Sequence, residues 1–156
     1  MFKRLVVLLF FLQLSFGQDN IINREIVIEI CTNLSTDKNL ILTNQSNSLV
    51  PNKSEIEAVE RILSVVGGQQ TFVLVPCNEL NRFGAAFQYQ GIRFIVYGKS
   101  FMELLNIEDE WDKLFVLAHE IGHHLLGHTV ESFQSYEERR QDEIEADEFA
   151  AFVLGK

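Results

Sequence analysis

Proline and cysteine are scarce in this 156-residue sequence, two of each, and positive charge is short, with 13 Lys and Arg against 22 Asp and Glu. So little proline, no internal repeat and 47% hydrophobic residues exclude a proline-rich, collagenous, solenoid or disordered chain and fit one globular domain. The net charge of −9, with no basic stripe anywhere, argues against a nucleic-acid partner. Cys31 and Cys77 have no CxxC spacing, which excludes a thioredoxin-like redox pair or a thiolate zinc ribbon. They could form one disulfide in an exported protein, with two buried thiols as the alternative. No apolar run is long enough to span a bilayer core of about 30 Å as a helix.

The most apolar run, residues 5–12, follows Lys3 and Arg4 and precedes Ser15-Phe16-Gly17. A charged start, a short apolar core and small residues at the first and third positions of Ser15-Phe16-Gly17 read as a secretory signal peptide over residues 1–17, cleaved before Gln18, with an uncleaved anchor as the weaker reading. The domain is then residues 18–156, which would be exported to a periplasm or the exterior. Residues 24–31 (REIVIEIC) alternate as a strand would, and residues 32–52 are polar, with one short strand expected at 39–42. Ser54 with Glu57 forms a capping-box pattern, and Ile56, Val59, Ile62, Leu63 and Val66 follow at helical spacing up to Gly67-Gly68. Residues 71–75, 85–89 and 92–97 are short β-rich runs that predict a small antiparallel sheet. A buried helix opens at about residue 107 and stops at Gly127, and a last helix begins at a second capping box, Ser135 with Glu138.

Inside the buried helix lies His119-Glu120-Ile121-Gly122-His123, an H-E-x-x-H pattern. Residues four apart on a helix differ by about 40° in direction, so His119 and His123 share a face and can bring two imidazole nitrogens to one zinc ion. Glu120 stands beside them, placed to take a proton from water activated there. Two histidines and a glutamate on an otherwise apolar helix would be costly to bury without partners, which favours a metal over coincidence.

A catalytic zinc needs a third protein ligand. The metzincin pattern fails, because Leu126 and Thr129 occupy the positions of its glycine and third histidine. His128 would point about 180° from His119 if the helix continued, and reads as a cap or surface histidine. His124 is off the ligand face and reads as a packing or solvent-facing residue. In the last helix Glu143 lies beside the small residues Ala146 and Ala150, which would permit a tight crossing near Gly122, so Glu143 is the expected third ligand. Glu145 points some 160° away and reads as solvated.

The stretches AHEIGHHLLGH and EIEADEFAAFVL resemble the HtpX and CAAX prenyl protease type of gluzincin, and more narrowly small exported bacterial metallopeptidase-like domains of that group. That family's signature, H-E-x-x-H followed by E-x-x-x-D on the next long helix, falls here on His119, Glu120, His123, Glu143 and Asp147. The upstream segments FVLVPC and GIRFIVYG share the likeness more weakly. The resemblance implies an α+β, zincin-like fold with a small sheet, a buried active-site helix and a following helix carrying the third ligand. It implies a zinc metalloendopeptidase acting on a peptide or protein, with Glu120 as general base and Asp147 orienting a ligand histidine. Membrane-bound relatives enclose substrate among several transmembrane helices; this sequence has none, so prenylated substrates are not carried over. The chain ends at Lys156, directly after the ligand-bearing helix, which leaves open a further C-terminal region. The strand at 92–97 is the expected edge for an extended substrate. The alternative reading is a catalytically silent zinc-binding sensor or interaction module of the same fold.

Overall fold

A computed structural model describes residues 24–34, 50–77, 80, 84–108, 110–129 and 135–156. The signal peptide expected at 1–17 and the short strand at 39–42 lie outside these residues. In order come α1 (Arg24–Leu34), α2 (Lys53–Val66), β1 (Val73–Cys77), β2 (Ala85–Tyr89), β3 (Ile92–Gly98), α3 (Lys99–Glu108), α4 (Glu110–Leu126) and α5 (Tyr136–Leu154). Five helices and one three-stranded sheet among the described residues make an α+β architecture.

The sheet is mixed, not antiparallel, with strand order β1-β3-β2. β2 and β3 form a hairpin through Gln90 and Gly91, both at positive φ (50° and 79°), the backbone that matches the twist of paired strands. β3 then enters beside β1 in parallel, Val73 opposite Phe94 and Cys77 opposite Gly98. Two strands that are not consecutive in the chain carry the parallel pair, which alternation within each strand could not reveal. The same order corrects the expected substrate edge: residues 92–97 lie in the central strand, and β2 is an outer strand among the described residues.

Both faces of β3 are covered. Phe94 and Val96 pack with Val75 and Cys77 on one side, and Ile95 and Tyr97 join Leu74 in the larger core built from α2, α3, α4 and α5 on the other. A strand buried on both faces reads as an unbroken apolar run, which is what its buried stretch Phe94 to Tyr97 (FIVY) is.

The smaller core is closed by α1, and here the expected strand at 24–31 is overturned. Val27, Ile30, Cys31 and Leu34 recur at helical spacing and turn toward the sheet, whereas the alternation of Ile26, Ile28 and Ile30 that suggests a strand is the competing period in the same eight residues. Cys31 and Cys77 form a disulfide across this layer, with Cα atoms 5.6 Å apart and a sequence separation of 46. Closing a loop of that length constrains the unfolded chain by about 4 kcal/mol in the chain-entropy model. The double substitution Cys31→Ser, Cys77→Ser is therefore expected to lower unfolding free energy by about 2–4 kcal/mol in denaturant titration.

The first capping box is shifted by two residues. Asn52, not Ser54, caps α2: its Oδ1 accepts from the Glu55 amide at 3.0 Å and Glu55 Oε2 accepts from the Asn52 amide at 2.8 Å. Glu55 is buried and also accepts from the Tyr97 hydroxyl at 2.5 Å, tying the start of α2 to the central strand. Helix α3 was not anticipated; it follows β3 directly and buries Met102 in the main core. Helix α4 passes between the sheet and α5. It is not apolar and buried all round, since Trp111 and Phe115 are exposed. The crossing with α5 occurs where it was expected: a Cβ on Gly122 would lie 3.1 Å from Phe149 Cδ1 and 3.4 Å from Ala146 Cα, and Ala146 and Ala150 are fully buried.

Candidate metal centre

Because the backbones of α4 and α5 approach at Gly122 and Ala146, the side chains one turn along each helix meet. His119 Nε2 and His123 Nε2 lie 3.1 Å apart, and the Glu143 carboxylate from α5 reaches them at 3.3 and 3.7 Å. These three residues are a group able to hold a metal ion. A tetrahedral zinc at about 2.0–2.1 Å from each ligand sets ligand atoms about 3.3–3.4 Å apart, so the donor set fits zinc in type and in spacing.

The far nitrogens of both rings are engaged. His119 Nδ1 is 2.8 Å from Asp147 Oδ1, and since a carboxylate only accepts, Nδ1–H donates, which in the neutral ring leaves Nε2 as the atom able to bind a metal. Asp147 sits one turn beyond Glu143, so one face of α5 carries both the carboxylate that meets the two rings and the partner of the His119 Nδ1 atom. His123 is held below the usual histidine pKa range, first by burial and then by the neighbouring His119, which favours the neutral form a ligand must have.

Glu120 lies beside the pair, 6% exposed, at the wall formed by β2. The Ala86 amide donates to its carboxylate. A Cβ on Gly84 would stand 3.0 Å from the Val96 carbonyl and 3.1 Å from Glu120 Oε1, so only glycine leaves room for this carboxylate. Burial pushes the Glu120 carboxyl up to about 7; His119 and the Ala86 amide oppose the rise and Glu143 adds to it. The histidines and Glu120 open into a cleft of about 600 Å³, with Phe115 and Val116 on its apolar side, Ala85 and Ala86 along β2, and Arg139 on α5.

The two histidines set aside on spacing prove to be structural participants. His124 is buried, its Nε2–H donating to the Phe94 carbonyl at 2.9 Å and its ring stacked on Phe72, so it packs α4 onto the central strand. His128 is 3.1 Å from His123 through their Nδ1 atoms. Glu145, expected to be solvated, accepts from Gln141 Nε2 at 2.9 Å and lies 3.3 Å from His128 Nε2. Those two contacts, in that order, hold its carboxyl below the usual range.

Residues 114–155 match the family described as Peptidase U49, a segment that contains most of α4, all of α5 up to Gly155, and every residue of the His119, His123 and Glu143 group. No curated protein matches the chain. The two helices that build the site are thus similar to a peptidase family, and the similarity does not single out the HtpX or CAAX prenyl protease type.

Proposed function

We propose that the protein is a zinc-dependent metalloendopeptidase in which His119, His123 and Glu143 hold the ion and Glu120 is the general base. The observation that carries this reading is the convergence of two imidazole Nε2 atoms and a carboxylate from a second helix at zinc-ligand spacing, with a further carboxylate beside them in an open cleft. The chemistry zinc supplies when bound is a water made acidic near neutral pH and a polarised scissile carbonyl. Glu120 takes the proton of the attacking water and delivers it to the leaving amine, a transfer its position next to the ligand pair allows. Asp147 holds the His119 ring in the ligand tautomer.

The substrate is a peptide or protein laid along β2. Ala85 and Ala86 line the cleft, and among the described residues β2 pairs with β3 alone, which leaves its outer backbone, apart from the Ala86 amide that donates to Glu120, for an extended chain. Among the same residues no helix is long and apolar enough to cross a membrane. The HtpX and CAAX prenyl protease likeness supports the ligand assignment and is kept here as part of the proposal.

Metal removal tests the function. Zinc-loaded protein is expected to cleave members of a random peptide library, to lose cleavage after chelation and to regain it with one equivalent of zinc; cleavage undiminished in metal-free protein would overturn the proposal. The chain is further proposed to be exported and to begin at or near Gln18 once processed. The Cys31–Cys77 disulfide supports this, because such bonds persist in oxidising compartments. The N-terminal mass of the exported protein checks it, and a form retaining Met1 would count against it.

A further inference from the structure

Helix α4 ends in a Schellman cap: Gly127 adopts φ 89°, and the His128 amide donates back to the His123 carbonyl at 3.0 Å. This turn folds His128 over the last turn of the helix instead of carrying it onward, and its side chain, 8% exposed, comes to rest against His123. The two Nδ1 atoms are 3.1 Å apart, so one must donate to the other. Two carboxylates on α5 decide which. Glu145 Oε2 lies 3.3 Å and Asp142 Oδ1 3.7 Å from His128 Nε2, and neither can donate when ionised. His128 Nε2 therefore carries a proton toward them, which in the neutral ring leaves Nδ1 as an acceptor.

We propose that His128, backed by Glu145 and Asp142, is a positioning residue for the metal centre: it accepts the Nδ1–H of His123 and so keeps the His123 Nε2 lone pair directed at the ion. The centre is then supported twice from α5, by Asp147 behind His119 and by the Glu145 and His128 pair behind His123. The reverse tautomer would place a proton on His123 Nε2, where the ion belongs, and would set a His128 lone pair against two carboxylates. The proposal rests on the zinc reading above, and it adds a residue to it that touches neither ion nor substrate.

The test combines zinc affinity, measured by competition with a chromophoric chelator, with the tautomer of His128 in the zinc-loaded protein, read by long-range proton–nitrogen correlation. His128→Leu is expected to weaken zinc binding by about 10- to 100-fold. His128→Asn, whose side-chain carbonyl can accept in place of Nδ1, is expected to recover most of that loss. Zinc-loaded wild type should carry the His128 proton on Nε2 and none on Nδ1. Equal affinity in wild type and His128→Leu overturns the proposal, as does an equal loss in the Leu and Asn variants, which would leave His128 a packing role only. If His128→Leu fails to fold, the tautomer in zinc-loaded wild type still decides: a proton on His128 Nδ1 overturns the proposal. A wild type that takes up no zinc would overturn the underlying metal reading as well, and so is distinguishable from failure of the His128 step alone.

Discussion

Glu120→Gln is expected to lose peptide hydrolysis while retaining its zinc. The substitution removes a proton acceptor and no ligand, and positioned acid–base groups contribute about 10²- to 10⁴-fold to rate. The geometry explains why the fold should tolerate it. Glutamine has the same shape, fits the space left by Gly84, and presents an amide oxygen that can still accept from the Ala86 N–H. The paired measurements are turnover of a peptide substrate and zinc content per chain, compared with wild type. Undiminished turnover would remove Glu120 from the mechanism, and loss of zinc together with activity would mean that its carboxylate supports the ligands and does not act on water.

The legibility of the site in the sequence followed from where its information is local. His119, Glu120 and His123 occupy one turn of one helix, so periodicity alone places them; the small residues Gly122, Ala146 and Ala150 then mark a close crossing that brings α5 to them. His128 was misjudged for a definite reason. An angular placement on the helix holds only while the helix continues, whereas the positive φ of Gly127 ends α4 and folds the next residue back over His123. The sequence did hold the signal, since a glycine stop had been read at that residue and a residue after such a stop packs back on the last turn. Glu145 was misjudged in consequence, its partner being the misplaced histidine. The parallel pairing of β1 with β3 and the helical state of α1 were hidden for other reasons: pairing partners are set by tertiary order, and IVIEI satisfies both periods until the sheet face it covers is known.

Glu143→Ala is expected to weaken zinc binding far more than Glu145→Ala, although the two carboxylates stand two residues apart on α5. Glu143 presents its oxygens to both Nε2 atoms, at 3.3 and 3.7 Å, and its removal leaves two histidines as the protein's contribution to a site that needs three. The loss should exceed the 10- to 100-fold that an outer partner of a ligand is worth. Glu145 faces the other way around the helix and reaches the centre only through His128 and then His123, at 3.3 and 3.1 Å. Its removal also leaves Asp142 beside His128 Nε2, so the contact is weakened without being lost. Glu145→Ala should therefore fall at or below the lower end of that range and keep metal content near one per chain after dialysis. Competition titration of both variants against the same chelator gives the ranking directly. The reverse order would mean that α5 turns its other acidic face to the histidines, an arrangement in which Ala146 and Ala150 could no longer lie in the crossing with α4.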